Sequence, residues 1–141
     1  MSGELEHALV SCWRETGADV LLIEGQAALR NPSGPCGSEF LVSGRARQVV
    51  LIHAPKRLYY DHDPAWGVIP PVASEIALIQ SYGSEVIALA LNTEDCTPQE
   101  AVAYQKAYTD QFGIPVLLPL QDGVDAVVPV IQSLVTQTHA H

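Results

Sequence analysis

The sequence is poor in basic residues and has no long apolar run. Only seven of its 141 residues are Lys or Arg, against sixteen Asp and Glu, which gives a formal net charge of −9. A nucleic-acid surface needs concentrated positive charge, so we expect no DNA or RNA partner. No apolar run approaches the roughly 18 residues that a membrane-spanning helix needs, so we expect no membrane partner either.

Cysteines and glycine-rich motifs are also scarce. The three cysteines, Cys12, Cys36 and Cys96, form no CxxC pair, which argues against a disulfide framework or a zinc knuckle. Free thiols without a signal-like amino terminus favour a reducing, cytoplasmic location. The patterns GxxxxGK[ST], GxGxxG and GxSxG are absent, so a glycine-rich phosphate-binding loop is not predicted.

Apolar runs alternate along the chain with amphipathic segments. Continuous apolar runs predict strands buried on both faces of a parallel sheet, and apolar positions three to four residues apart predict helices. The predicted strands are 19–25, 48–55, 85–93 and 114–120, and the predicted helices are 4–16, 39–43, 71–82, 98–112 and 123–138. The alternation predicts a single α/β domain over residues 1–141, a three-layer sandwich around a mainly parallel sheet.

The segment after the third predicted strand carries the clearest helix signals. Thr97 and Glu100 have the spacing of a capping box, and Pro98 suits the first helical position. We expect this helix to pack on the sheet through Ala101, Tyr104 and Tyr108, and to end at Gly113.

Each predicted strand brings a polar residue to its carboxyl end. These residues are Glu24, His53, Asn92, and Gln121 or Asp122. In open α/β sheets ligands bind beyond the carboxyl ends of the strands, so the convergence predicts a ligand crevice. Glu24 could hold a metal or accept a proton there, or it could cap the next segment or pair with a cation.

Two further residue types bear on this crevice. An acidic protein that binds anions must concentrate its few cations at the site, which makes Arg30, Lys56 and Arg57 candidates for binding a carboxylate. His53 could transfer a proton or could only hydrogen-bond the neighbouring loop.

The order of four short motifs, EGQ, HAPKR, LNT and IPVLLPLQDGVD, resembles a known family. It is similar to the carboxyl-terminal domain of the DUF-type family that contains the DgcN-like D-glutamate N-acetyltransferases, which are P-loop-like α/β proteins with a dethiobiotin-synthetase-type layout. This resemblance implies a P-loop-NTPase-like half that lacks the phosphate-binding loop. It also implies catalytic roles for Glu24, with a possible Mg²⁺, and His53; substrate binding by Gln26, Arg30, Lys56 and Arg57; and nucleotide or cofactor binding by Asn92 and Thr93.

The resemblance implies the catalytic and substrate domain of an N-acyltransferase or an ATP-dependent ligase-like enzyme. Its substrate would be an acidic amino acid, and its cofactor acetyl-coenzyme A or ATP with Mg²⁺, bound at the carboxyl ends of the strands. An alternative is a non-catalytic α/β binding or assembly module, or a split half that needs a separate P-loop partner. We expect a homo-oligomer or a complex with a P-loop-bearing partner chain.

Overall fold

The computed structural model describes residues 2–25, 28–32, 34 and 37–138. The helices in these residues are α1 (Ser2–Thr16), α2 (Gly37–Val42), α3 (Val72–Ser81), α4 (Pro98–Phe112), α5 (Pro119–Asp122) and α6 (Val128–Thr138), and the strands are β1 (Gln48–His53), β2 (Glu85–Leu91) and β3 (Val116–Leu117). Short 3₁₀ turns lie at Tyr60–His62, Pro64–Trp66 and Asp125–Val127. None of the helices in these residues is long and apolar enough to cross a membrane.

The three strands form one parallel sheet in the order β1-β2-β3. Helix α3 connects β1 to β2, and α4 connects β2 to β3. Parallel neighbours need such crossovers because the chain must return to the start of the next strand. The predicted α/β class is confirmed.

Helices cover both faces of the sheet. Successive strand residues point to opposite faces, so Leu89 and Leu91 pack on one face while Ala88 and Ala90 pack on the other. The first face is covered by α3 and α4, with Val72 and Ala101 in its buried core. The second face is covered by α6, through residues that include Val130 and Ile131. The predicted three-layer arrangement is therefore confirmed.

Within the part of the chain that the structure describes, strand β1 is covered on one face only. Val50 pairs in register with Ala88, and Ile52 with Ala90, so both lie on the face that α6 covers over β2. Val50 is nevertheless 40% exposed and Ile52 71% exposed. We refer to Val50 and Ile52 as the open β1 surface. Within the described residues β1 also lacks a partner strand on its outer edge.

The prediction of a strand at residues 19–25 is wrong. These residues form no strand, and Leu22 is 86% exposed. Asp19 and Val20 instead border a cavity of about 640 Å³ against α6. An apolar run becomes a strand only where a neighbour completes its backbone hydrogen bonds, and no other strand of the described chain pairs with this segment.

The strand predicted at 114–120 is much shorter in the structure. Only Val116 and Leu117 pair with β2, and Pro119 begins α5. Proline has no N–H to give to a strand but fits the first turn of a helix. The same property explains the last predicted helix, which begins at Val128 with Pro129 in its first turn.

Helix α4 begins and ends as predicted. The Thr97 hydroxyl accepts a hydrogen bond from the Glu100 N–H at 3.3 Å, and the Glu100 carboxylate accepts one from the Thr97 N–H at 2.8 Å. Gly113 ends the helix in the left-handed conformation, with φ 66°. Since the reciprocal cap satisfies two backbone donors at the start of the helix, it defines where α4 begins after β2.

Candidate functional site

The carboxyl ends of the strands meet at one edge of the sheet. The Asn92 N–H, just after β2, donates to the His53 carbonyl at the end of β1, at 2.8 Å. After β3, the Gln121 side-chain amide donates to the Thr93 hydroxyl at 2.7 Å. Three of the predicted site residues, His53, Asn92 and Thr93, are therefore brought together with Gln121, as the parallel topology requires.

A cavity of about 290 Å³ opens beside the end of β1. It lies between the loop after β1, the start of α3 and the end of α4, and it is lined by His53, Pro55, Arg57, Leu58, Ile69, Pro70, Pro71, Val72, Ala73, Tyr108, Gln111 and Phe112. Most of this lining is apolar, and the titratable side chains in it are His53, Arg57 and Tyr108. An apolar pocket with a few convergent polar groups is the usual form of a small-molecule site.

His53 and Tyr108 contact each other in this cavity. The Tyr108 hydroxyl lies 3.3 Å from His53 Nε2, and the two rings meet edge to face at 5.7 Å and 85°. Burial lowers the pKa of His53 below its ordinary 6.5. Burial, and then the neighbouring Tyr104, raise the pKa of Tyr108 above its ordinary 10.0. At neutral pH His53 is therefore uncharged and Tyr108 protonated, and the tautomer of His53 decides which of the two donates in this hydrogen bond.

Tyr108 belongs to an aromatic stack along α4. It stacks on Tyr104 at 6.3 Å and on Phe112 at 5.9 Å, with interplanar angles of 18° and 16°. Residues four apart lie above one another on a helix, so this spacing produces the stack. From the sequence we assigned Tyr108 to helix packing alone and missed its place in the cavity. The signal for a stack was present in the spacing, but nothing in the sequence pairs Tyr108 with His53.

Arg57 is anchored by one guanidinium nitrogen and leaves another unpaired. Its NH2 group donates to the Glu94 carboxylate at 2.5 Å, and this bond lowers the pKa of Glu94. His62 approaches the same carboxylate at 3.4 Å. Arg57 Nε is buried and has no hydrogen-bond partner in the described residues. A buried donor without a partner is costly.

Lys56, predicted to bind substrate, is not among the residues that line the cavity. Its ammonium group contacts Glu100 at 2.7 Å, on the carboxylate that also caps α4. The bond from Lys56 and the bond from the Thr97 N–H lower the pKa of Glu100 to about 2. Lys56 thus joins the loop after β1 to the start of α4.

Asn92 and Thr93 lie at the edge of the sheet but do not line the cavity. The Asn92 side-chain oxygen accepts a hydrogen bond from the Glu94 N–H at 3.0 Å, which shapes the turn after β2. This turn presents Glu94 to Arg57. Both residues have roles in loop geometry, and their predicted contact with a nucleotide stays a prediction.

Arg30 contacts the first turn of α3. It donates to the Ser74 hydroxyl at 2.8 Å and to the Ser74 carbonyl at 3.0 Å, and it lies 3.4 Å from the Glu75 carboxylate. Glu75 is buried, which raises its pKa, while Arg30 acts in the opposite direction. In this arrangement Arg30 fastens the preceding loop to α3, and it does not line the cavity.

Glu24 is not where the sequence placed it. With no strand at 19–25, it does not end a strand, and it makes no hydrogen bond or ion pair within the described residues. Its neighbours Ile23 and Gly25 lie near Gly44 and Phe40, beside α2. The described residues contain no group of three or more His, Cys, Asp or Glu side chains that could hold a metal ion. Gln26, the remaining predicted site residue, lies outside the described residues.

Comparison with known proteins identifies the family. Residues 1–128 match the model of a domain of unknown function described as the DUF1611 carboxyl-terminal P-loop domain. The chain belongs to the DUF1611 family. The resemblance drawn from the four motifs is therefore confirmed.

Two relatives show what this DUF1611 chain is similar to. A protein from Tritonibacter scottomollicae named D-glutamate N-acetyltransferase is 28% identical over 119 residues, which cover 80% of this chain and 36% of the relative. A crystal structure of a DUF1611 family protein from Anabaena variabilis ATCC 29413 superposes with a TM-score of 0.80 at 22% identity, over 94% of this chain and 40% of that one. The second match establishes a shared fold. The chain spans less than half the length of either relative.

Proposed function

We propose that this chain is the carboxyl-terminal catalytic and substrate domain of a D-glutamate N-acetyltransferase-like protein. Its substrate would be an acidic amino acid, whose amine is acetylated in the cavity at the end of β1. The observation that carries the proposal is the pairing of His53 with Tyr108 beside Arg57 in that cavity. The name of the Tritonibacter relative supports the reaction class.

The residues of the cavity suit acyl transfer to an amine. An amine attacks a thioester only when it is unprotonated and loses a further proton as the C–N bond forms, so the reaction needs a neutral base. His53 can fill this role because burial lowers its pKa and keeps it uncharged at neutral pH. The guanidinium group of Arg57, which lines the cavity, would bind a substrate carboxylate.

The acyl donor we propose is acetyl-coenzyme A, which supplies a thioester carbonyl when bound. Its thioester would lie in the cavity, and Asn92 and Thr93 at the adjoining edge would contact the rest of the molecule. ATP with Mg²⁺ fits the residues less well. Glu24, the predicted metal ligand, does not line the cavity, and we derive no step through a metal ion.

The proposal is tested by substrate binding and turnover. We expect D-glutamate to raise the melting temperature of the protein, and acetyl-coenzyme A with D-glutamate to release free thiol. Arg57→Gln should weaken D-glutamate binding by at least about 10-fold, because a charge-assisted hydrogen bond contributes roughly 1.5–3 kcal/mol. Calorimetric titration gives both dissociation constants.

The matched control is Arg47→Gln. Arg47 directly precedes β1, contacts the Tyr82 carbonyl and does not line the cavity. Its replacement should therefore leave D-glutamate binding unchanged. Equal binding by the two variants would count against Arg57 as the carboxylate ligand. No binding and no thiol release by the unmodified chain would contradict the proposed function itself.

A second candidate role is self-assembly, and the open β1 surface favours it. Val50 and Ile52 are exposed apolar side chains on an edge strand, and unpaired edges readily accept another strand. An uncharged patch can meet its own copy across a twofold axis without bringing like charges together. We propose a second copy of this chain as its partner, with the two β1 edges adjacent.

Ile52→Lys should prevent this association. In a twofold dimer Ile52 of both copies is buried in the interface. Burial of one isoleucine contributes about 1.5–3 kcal/mol, so the loss of both should weaken dimerisation by about 100-fold or more. Light scattering after size exclusion measures the molar mass. Val102→Lys is the control, because Val102 is 58% exposed and lies on α4. A monomeric unmodified chain, or equal loss of mass in both variants, would refute the dimer.

A further inference from the structure

The Tyr108 hydroxyl lies beside the proposed base but has no part in the base chemistry itself. The Tyr108 ring is held on both sides along α4, by Tyr104 and by Phe112. Its hydroxyl lies in the cavity, 3.3 Å from His53 Nε2. The hydroxyl therefore places an exchangeable proton beside the imidazole inside the cavity.

Acyl transfer from a thioester requires a proton donor as well as a base. The carbon–sulfur bond breaks with its electron pair on sulfur, and an alkyl thiolate is basic, with a thiol pKa of about 8.5 or above. A positioned acid that gives this sulfur a proton lowers the barrier of that step. Of the titratable side chains that line the cavity, Arg57 stays charged and cannot donate effectively, and His53 is already the base.

We infer that Tyr108 is the general acid that protonates the departing thiolate, and that His53 afterwards returns the proton to Tyr108 across their hydrogen bond. This inference rests on the proposed function and assigns a further catalytic residue to it. Tyr108 is protonated at neutral pH, because burial raises its pKa.

The proton balance closes. The substrate ammonium first loses one proton to solvent, and the resulting amine attacks the thioester carbonyl carbon. As the C–N bond forms, the second proton passes from nitrogen to His53 Nδ1, in the tautomer whose Nε2–H donates to the Tyr108 oxygen. As the C–S bond breaks, the Tyr108 hydroxyl proton passes to sulfur, which leaves as a thiol. Protonated His53 then returns its proton to the Tyr108 phenolate, and both residues regain their starting charges.

Two acetyl donors distinguish an acid from a packing residue. Acetyl-coenzyme A has an alkyl thiolate leaving group, whereas an activated aryl thioester of acetate releases a thiolate that is stable without protonation at neutral pH. Tyr108→Phe removes the hydroxyl and keeps the ring in the stack. We expect it to slow D-glutamate acetylation by about 100- to 1,000-fold with acetyl-coenzyme A, and by less than about threefold with the aryl thioester.

Tyr82→Phe is the matched control. It removes a hydroxyl from a tyrosine at the end of α3 that does not line the cavity, so both donors should react at unmodified rates. The melting temperature of each variant reports whether it has folded.

The outcomes separate the inference from the proposed function. Equal slowing of both donors by Tyr108→Phe, or no slowing of either, would overturn the acid role while leaving acetyl transfer intact. If the unmodified chain transferred acetyl groups from neither donor, the proposed function would fail and the inference with it.

Discussion

Replacing His53 by glutamine is expected to slow acetyl transfer to D-glutamate by about 100- to 10,000-fold, the range that a positioned general base contributes. Glutamine is similar in size and polar, but it cannot accept a proton at neutral pH. The rate is measured as thiol release from acetyl-coenzyme A at saturating D-glutamate. His62→Gln is the control, because His62 has a 55% exposed side chain and does not line the cavity.

The pH dependence of the unmodified chain adds a second measurement. Burial lowers the pKa of His53 from its ordinary 6.5, so the base stays neutral and active down to a lower pH than a solvated histidine would. The substrate ammonium must also lose a proton, so kcat/KM falls with pH on that account below the ammonium pKa; we expect His53 to add a further fall only below about pH 6.5. The folded state likewise favours the neutral form of His53. The stability of the fold that depends on this group is therefore greatest above about pH 6.5 and declines as the pH falls through the folded-state pKa. A rate unchanged by His53→Gln would exclude it as the base.

Leu89→Ala is expected to destabilise the fold by about 2–5 kcal/mol, the range for removing a fully buried leucine. Leu89 is 0% exposed at the centre of β2, in the core that α3 and α4 form with the sheet. The smaller side chain leaves a cavity that the surrounding strands and helices cannot fill. Urea denaturation measures the free energy of unfolding.

Leu120→Ala is the matched control for the core. Leu120 is 82% exposed, so the same chemical change should alter the free energy of unfolding by no more than about 0.5 kcal/mol. If Leu89→Ala cost no more than Leu120→Ala, the packing of β2 between two helical layers would be wrong.

Local signals explain which elements could be predicted. The capping residues Thr97 and Glu100 and the stop at Gly113 act within a few residues of α4, and the structure confirms them. The apolar runs of β1 and β2 also form strands where expected. Residues 19–25 contain a similar apolar run but form no strand, because strand formation depends on a neighbour that composition does not specify.

The residues of the candidate site also divide into those whose position could be predicted from the sequence and those whose position could not. The parallel topology brings His53, Asn92 and Thr93 to one edge, so their proximity could be predicted. Glu24 was expected there through a strand that does not form, and Lys56 is held by Glu100 away from the cavity. Tyr108 could not be assigned from sequence, because it is 55 residues from His53 along the chain.

The sequence by itself determined the α/β class, the family and the polar residues that follow the strands, because these depend on apolar patterning, local turn chemistry and motif order. Only the tertiary structure decided which cations are already paired, that Tyr108 contacts His53, and that the described residues leave one face of β1 uncovered. Those features arise from contacts between residues distant in the chain, whose geometry depends on how α3, α4 and α6 pack on the sheet.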